Sequence, residues 1–160
     1  MSIRTLTTLA FAGLLSVGMT ATMLAPQTLA QDTTATAPAV VYTPAEAVAA
    51  RQAMMKLNGM TLKGAATLTG NDAVAAMTLL SANFAQYPAL FAEGLTTSDS
   101  KALPLIWEDW AGFIAIIDRS KAVAEAGIVA AQAGDLVAYA DALGAIGKGC
   151  GECHGKYRCK

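Results

Sequence analysis

This chain of 160 residues contains a single histidine, His154, and only three cysteines. With no second histidine there is no base to pair with a serine or cysteine nucleophile, and no glycine-rich phosphate loop is visible. Lysine and arginine are nearly balanced by acids, for a net charge of −1, and they are scattered. That spread excludes the basic face that nucleic acid requires and the polybasic patch that would hold a membrane surface. Sustained period-two alternation is also missing, which argues against sheet, and no solenoid-like repeat is evident.

Cys150-Gly151-Glu152-Cys153-His154 is the feature that carries chemistry. Residues i and i+3 share a helix face, so both thiols could reach the two vinyl groups along one haem edge, and the next residue would offer its imidazole to iron. The motif is the attachment signal for one covalently bound haem c. A thioredoxin-like Cys-x-x-Cys would need a βαβ setting. A zinc site would have to crowd Cys150, Cys153, His154 and Cys159 into ten residues.

Residues 1–30 read as a secretory signal. Arg4 supplies the positive end, Leu6 to Leu24 is an apolar run, and Thr28-Leu29-Ala30 is a small-x-small cleavage site. A single-span anchor is the alternative; the Gly, Thr and Ser content and Pro26 favour cleavage after Ala30. Export to the periplasm fits a haem c, which is attached outside the bacterial cytoplasm. Removal of Arg4 costs one base and no acid, so the mature chain is slightly more acidic. Cys159 is left over from haem attachment. It is a reactive thiol, an intermolecular disulfide partner, or simply an exposed thiol near a fraying end.

Residues 31–42, rich in Thr, Ala and Pro, read as a flexible leader. A haem domain is expected over 43–160, with four helices. Thr43, Pro44 and Glu46 form a capping box with proline at N1, opening a first helix to about Thr67. A second starts near Asn71-Asp72, carries Val74, Met77, Leu80 and Phe84, and ends around Gly94. Pro104 opens a third, with Trp107, Trp110, Ile114 and Ile117 on its apolar side, which Gly134 breaks. Asp135 caps the fourth, carrying Leu136, Tyr139, Leu143 and Ile146. Four amphipathic helices with short loops predict an all-α antiparallel four-helix bundle.

The single histidine also excludes bis-histidine ligation within one chain, and the single motif excludes a multihaem protein. No methionine follows His154, so a sixth ligand must come from upstream. After cleavage the candidates are Met54, Met55, Met60 and Met77, against the reading that they fill core gaps or that the sixth site is vacant. A peroxidase would need a distal acid–base pair, and the histidine is already used.

The segment from Thr43 through Arg51-Gln52-Ala53-Met54-Met55 resembles the first helix of the cytochrome c′ family, the class II c-type cytochromes. So do Ile106-Trp107 followed by Phe113, Gly134-Asp135-Leu136, and above all Cys150-x-x-Cys153-His154-x-x-x-Arg158. The resemblance spans about Thr43 to Arg158. It implies a periplasmic, often homodimeric bundle with His154 as proximal iron ligand, Arg158 near the proximal face, and Arg51 near a haem propionate; a solvated helix face is the alternative for both arginines. Met55 falls at the family's distal position. Most members are five-coordinate and bind nitric oxide or carbon monoxide. A low-spin branch, which Met55-Lys56-Leu57-Asn58-Gly59 resembles, uses methionine there and looks like an electron carrier whose redox partner protein is unspecified. Cys159 departs from the family, and the loop after Gly94 lacks its usual Gly-Thr.

Overall fold

The computed structural model describes residues 41–159. The signal, its cleavage site and most of the leader lie outside the described residues. Four long helices and one short one make up the fold: α1 (Pro44–Ala65), α2 (Gly70–Leu90), α3 (Leu105–Glu108), α4 (Trp110–Ala133) and α5 (Leu136–Tyr157). None of them is long and apolar enough to cross a membrane. Among the described residues the only β pairing is an isolated antiparallel bridge between Ala102 and Arg158.

The helix ends follow their local chemistry. At the start of α1 the Thr43 hydroxyl accepts from Glu46 N and the Glu46 carboxylate accepts from Thr43 N, so two orphan donors are satisfied reciprocally. At the far end of α4, Gly134 adopts φ 70°, where a side chain would be strained, and lets the chain reverse. Asp135 then accepts from Val137 N and Ala138 N to start α5.

Two boundaries differ from expectation, each for a non-local reason. The second helix closes at Leu90, not near Gly94. The Leu90 carbonyl accepts from the Arg51 guanidinium at 3.0 Å, so α1 takes up an acceptor that a further turn of α2 would have used, and the Leu95 carbonyl accepts from the same guanidinium at 2.8 Å. The third expected helix is two, divided at Asp109 (φ −122°, ψ 51°), which leaves helical geometry so that its carboxylate can cap Gly112 N. Some apolar assignments also moved. Ile117, Tyr139 and Ile146 are buried as expected, whereas Leu136 is 55 % exposed and Trp110 lies partly in solvent. Phe113 and Ile116 take the inner positions of α4 instead.

The core runs along α2, α4 and α5. Small residues allow close approach: a Cβ built on Gly127 would lie 2.7 Å from Met77 Cε, and one on Gly149 would lie 2.8 Å from Ser120 Oγ. α4 thus packs closely on α2 and α5, α1 lies on α2, and α1 touches α5 only lightly. That lightly packed seam is where the site lies. Gly127→Val should drive into the fully buried Met77; we expect a loss of about 1–3 kcal/mol, read as a lower urea midpoint with an unchanged slope.

Candidate haem site

Two adjoining cavities, of about 520 and 170 Å³, open along this seam. Met55 of α1 and Cys153 and His154 of α5 line both, as do Phe91 and Phe113. Cys150 lines the smaller one, while Arg51 and Arg158 line the larger one. The structure therefore gathers all six expected site residues around these two adjoining cavities. Of the other methionines, Met77 is fully buried beneath Gly127, Met60 is 54 % exposed, and Met54 packs against the core without lining either cavity.

Cys150 and Cys153 are half-buried and not joined to each other. Burial raises both thiols, Cys153 to about 11, with Cys150 and Glu152 adding to it. No group of three or more histidine, cysteine or acidic side chains arranged to hold a metal ion occurs among the described residues. His154 is exposed; partial desolvation, then the charge of Arg158, pulls it below the ordinary imidazole value. That favours the neutral ring, the form that ligates metals. The aromatic walls, the two thiols facing the seam and the adjacent imidazole make this space a fit for a haem held by thioethers.

Arg51 does not lie on a solvated face. It is 3 % exposed, gives hydrogen bonds to Leu90 O, Leu95 O and Ser100 Oγ, and its guanidinium sits 4.3 Å from the Phe91 ring centroid. It pins the 91–100 loop to α1 and forms part of the larger cavity's wall. Arg158 is the exposed C-cap of α5, extended beside Ala102.

One anchoring group has no local signature. The Asp109 carboxylate accepts from Lys156 Nζ and from Tyr157 Oη, both at 2.6 Å. It thereby fastens the last turn of α5, just past His154, to the α3–α4 break. The tyrosine ring also packs edge-on against Phe113, with centroids 5.3 Å apart. A carboxylate 47 residues from its partner leaves no trace in sequence spacing.

These features define a four-helix bundle that presents a haem c attachment site between its first and last helices. The cytochrome c′ family profile matches residues 46–158, and the chain belongs to that family. It is 34 % identical over 118 residues to cytochrome c-556 of Agrobacterium tumefaciens (strain B2A), covering 69 % of this chain and 94 % of that one. Among solved structures, ferric cytochrome c′ of Alcaligenes xylosoxidans superposes with a TM-score of 0.66 at 29 % identity, covering 76 % of this chain and 99 % of that one. A variant of that protein in complex with nitric oxide matches with a TM-score of 0.65 and 29 % identity, covering 76 % and 100 %. As a cytochrome c′ the chain is a haem-binding protein of electron-transfer or gas-binding type, with covalent haem c as its cofactor.

The Asp109 junction carries a pH dependence. Lys156 first, then Tyr157, holds its carboxyl below the usual carboxylate range. A depressed native pKa contributes stability that is present above the unfolded value, near 3.8, and is lost as pH falls through the native one. Urea midpoints should therefore drop on acidification, and Asp109→Asn, which keeps a capping side chain, should flatten that drop.

Proposed function

We propose that this protein is an exported, periplasmic monohaem electron carrier with a six-coordinate iron. Cys150 and Cys153 hold the haem by thioethers, His154 is the proximal iron ligand, and Met55 is the distal one. The observation that carries this reading is that Met55, alone among the described methionines, lines the same two cavities as His154, from the other side of the α1–α5 seam. Bound there, the haem supplies a one-electron iron couple.

The chain's residues do the rest. A thioether is a soft donor without charge, which favours the reduced metal more than a second imidazole would. Arg51 and Arg158 place positive charge along the larger cavity, where charge-assisted hydrogen bonds can hold the propionates. The buried walls of Phe91, Phe113 and Tyr157 exclude water, so charge at the iron is less screened. Export is supported by the signal-like residues 1–30 and by the oxidising compartment in which haem is attached.

A second reading, a five-coordinate protein that binds nitric oxide or carbon monoxide, is favoured by the 170 Å³ cavity beside Met55 and by the nitric oxide complex of the related Alcaligenes xylosoxidans variant. Met55 would then act as a steric gate. The two separate in visible spectra. The ferrous holoprotein should be low-spin and indifferent to carbon monoxide, and Met55→Ala should be high-spin and take up the gas; an open, gas-binding wild type would establish the second reading. His154→Ala should lose the proximal ligand while the haem stays covalently attached on a denaturing gel.

A further inference from the structure

α1 and α2 meet through a buried chain of polar groups that the proposed haem attachment does not use. Asn83 Nδ2 donates to Asn58 Oδ1 at 2.6 Å, and Asn58 Nδ2 donates to Tyr87 Oη at 2.9 Å. All three residues are buried, Tyr87 to 6 % exposure. Burying two amides and a phenol costs free energy that apolar residues of similar size would not. The chain has a direction. Each group passes a donated hydrogen bond onward, and at its end the Tyr87 hydroxyl has a proton with no acceptor among the described residues.

That end is at the haem site. Tyr87 and Asn58 line the 170 Å³ cavity together with Met55, Cys150, Cys153 and His154. Asn58 stands three residues beyond Met55 on α1, so the two share a helix face. The hydrogen bond from Asn58 sets the Tyr87 oxygen beside the α1 face that carries Met55. The tyrosine ring is held edge-on by Phe84 (5.9 Å between centroids) and Phe91 (6.4 Å), which leaves rotation of the hydroxyl as its main freedom. Burial above all pushes the phenol well above its ordinary pKa, so it persists as a donor.

We infer that the Tyr87 hydroxyl is the hydrogen-bond donor to a diatomic ligand bound at the iron opposite His154. This rests on the reading that places the iron between α1 and α5. Such a donor stabilises ligands that gather negative charge on their outer atom, such as cyanide or nitric oxide, more than it stabilises carbon monoxide. The other hydroxyl that lines the cavity, Ser120, already donates to the Ile116 carbonyl, and Leu62, Phe84 and Phe91 are apolar. The pair Asn58 and Asn83 are positioning residues: they fix where the tyrosine oxygen sits.

The test uses covalently loaded holoprotein with the distal methionine removed, Met55→Ala, compared with the same protein carrying Tyr87→Phe. In the ferrous carbon monoxide adduct the C–O stretch should lie lower with the hydroxyl present. It should shift between light and heavy water, and lose that sensitivity in Tyr87→Phe. Ferric cyanide affinity should fall about tenfold in Tyr87→Phe. A C–O stretch that is the same in both proteins and insensitive to heavy water overturns the inference. The heavy-water comparison needs no second substitution, so it stands even where Tyr87→Phe fails to fold. Failure of the Met55 assignment shows separately, as carbon monoxide uptake by the wild type; the Tyr87 comparison is then run without Met55→Ala.

Discussion

Everything in this fold turns on keeping α1 and α5 apart while the other helices close up. A bundle of small apolar residues would gain by collapsing along every seam. Here Gly127 and Gly149 allow α4 to sit hard against α2 and α5, and α1 is held to α2 by groups that resist sliding. Arg51 reaches across to two backbone carbonyls and a serine, and Asn58 joins Asn83 and Tyr87. Hydrogen bonds have short reach and strict direction, so they set the height of α1 over the seam where apolar contacts alone would not. The open space is thus the residue of close packing elsewhere, bounded by directional bonds.

The same logic explains the guarded end of α5. The attachment motif occupies the last two turns of a helix, where fraying is ordinarily greatest. Three tethers oppose it: Asp109 takes Lys156 and Tyr157, Leu103 N donates to Tyr157 O, and Cys159 N donates to Lys101 O. The His154 imidazole, the proposed ligand, therefore sits just inside a clamped terminus. A haem bound only to the native state would add its binding free energy to folding, and a clamped motif loses less conformational entropy when the haem is bound.

Much of this was legible in the chain because it is local. The capping box at Thr43, the left-handed Gly134, the Asp135 cap and the Cys-x-x-Cys-His spacing each act within a few residues, so sequence order carries them. The position of Met55 four residues after Arg51 likewise puts both on one helix face. What was not legible is long-range. Nothing near Leu90 announces that Arg51 will take its carbonyl. Asp109 reads as an ordinary helix residue until Lys156 and Tyr157 are brought beside it. Nothing in the sequence marks Asn58 and Asn83 as buried, since asparagine is rarely so. A signal for them existed in retrospect: each falls at helical spacing from an apolar inward residue, Asn83 three after the buried Leu80 and Asn58 three after the cavity-lining Met55.

The choice between electron carriage and gas binding comes down to a side chain that can move. Methionine has three rotatable bonds and a thioether of modest donor strength. A branched apolar residue in its place could only shield the iron, and a histidine would hold it more firmly. Met55 and Tyr87 line the same cavity, so a displaced thioether and a hydrogen-bond donor share one wall of the site. Two arrangements separated by one rotamer change and one ligand bond need differ by only a few kcal/mol, so a ligand with a modest preference for the open arrangement would shift the population. On the proposed ligation, such a protein would carry electrons while Met55 fills the sixth site, and would bind gas when an outside ligand outcompetes it.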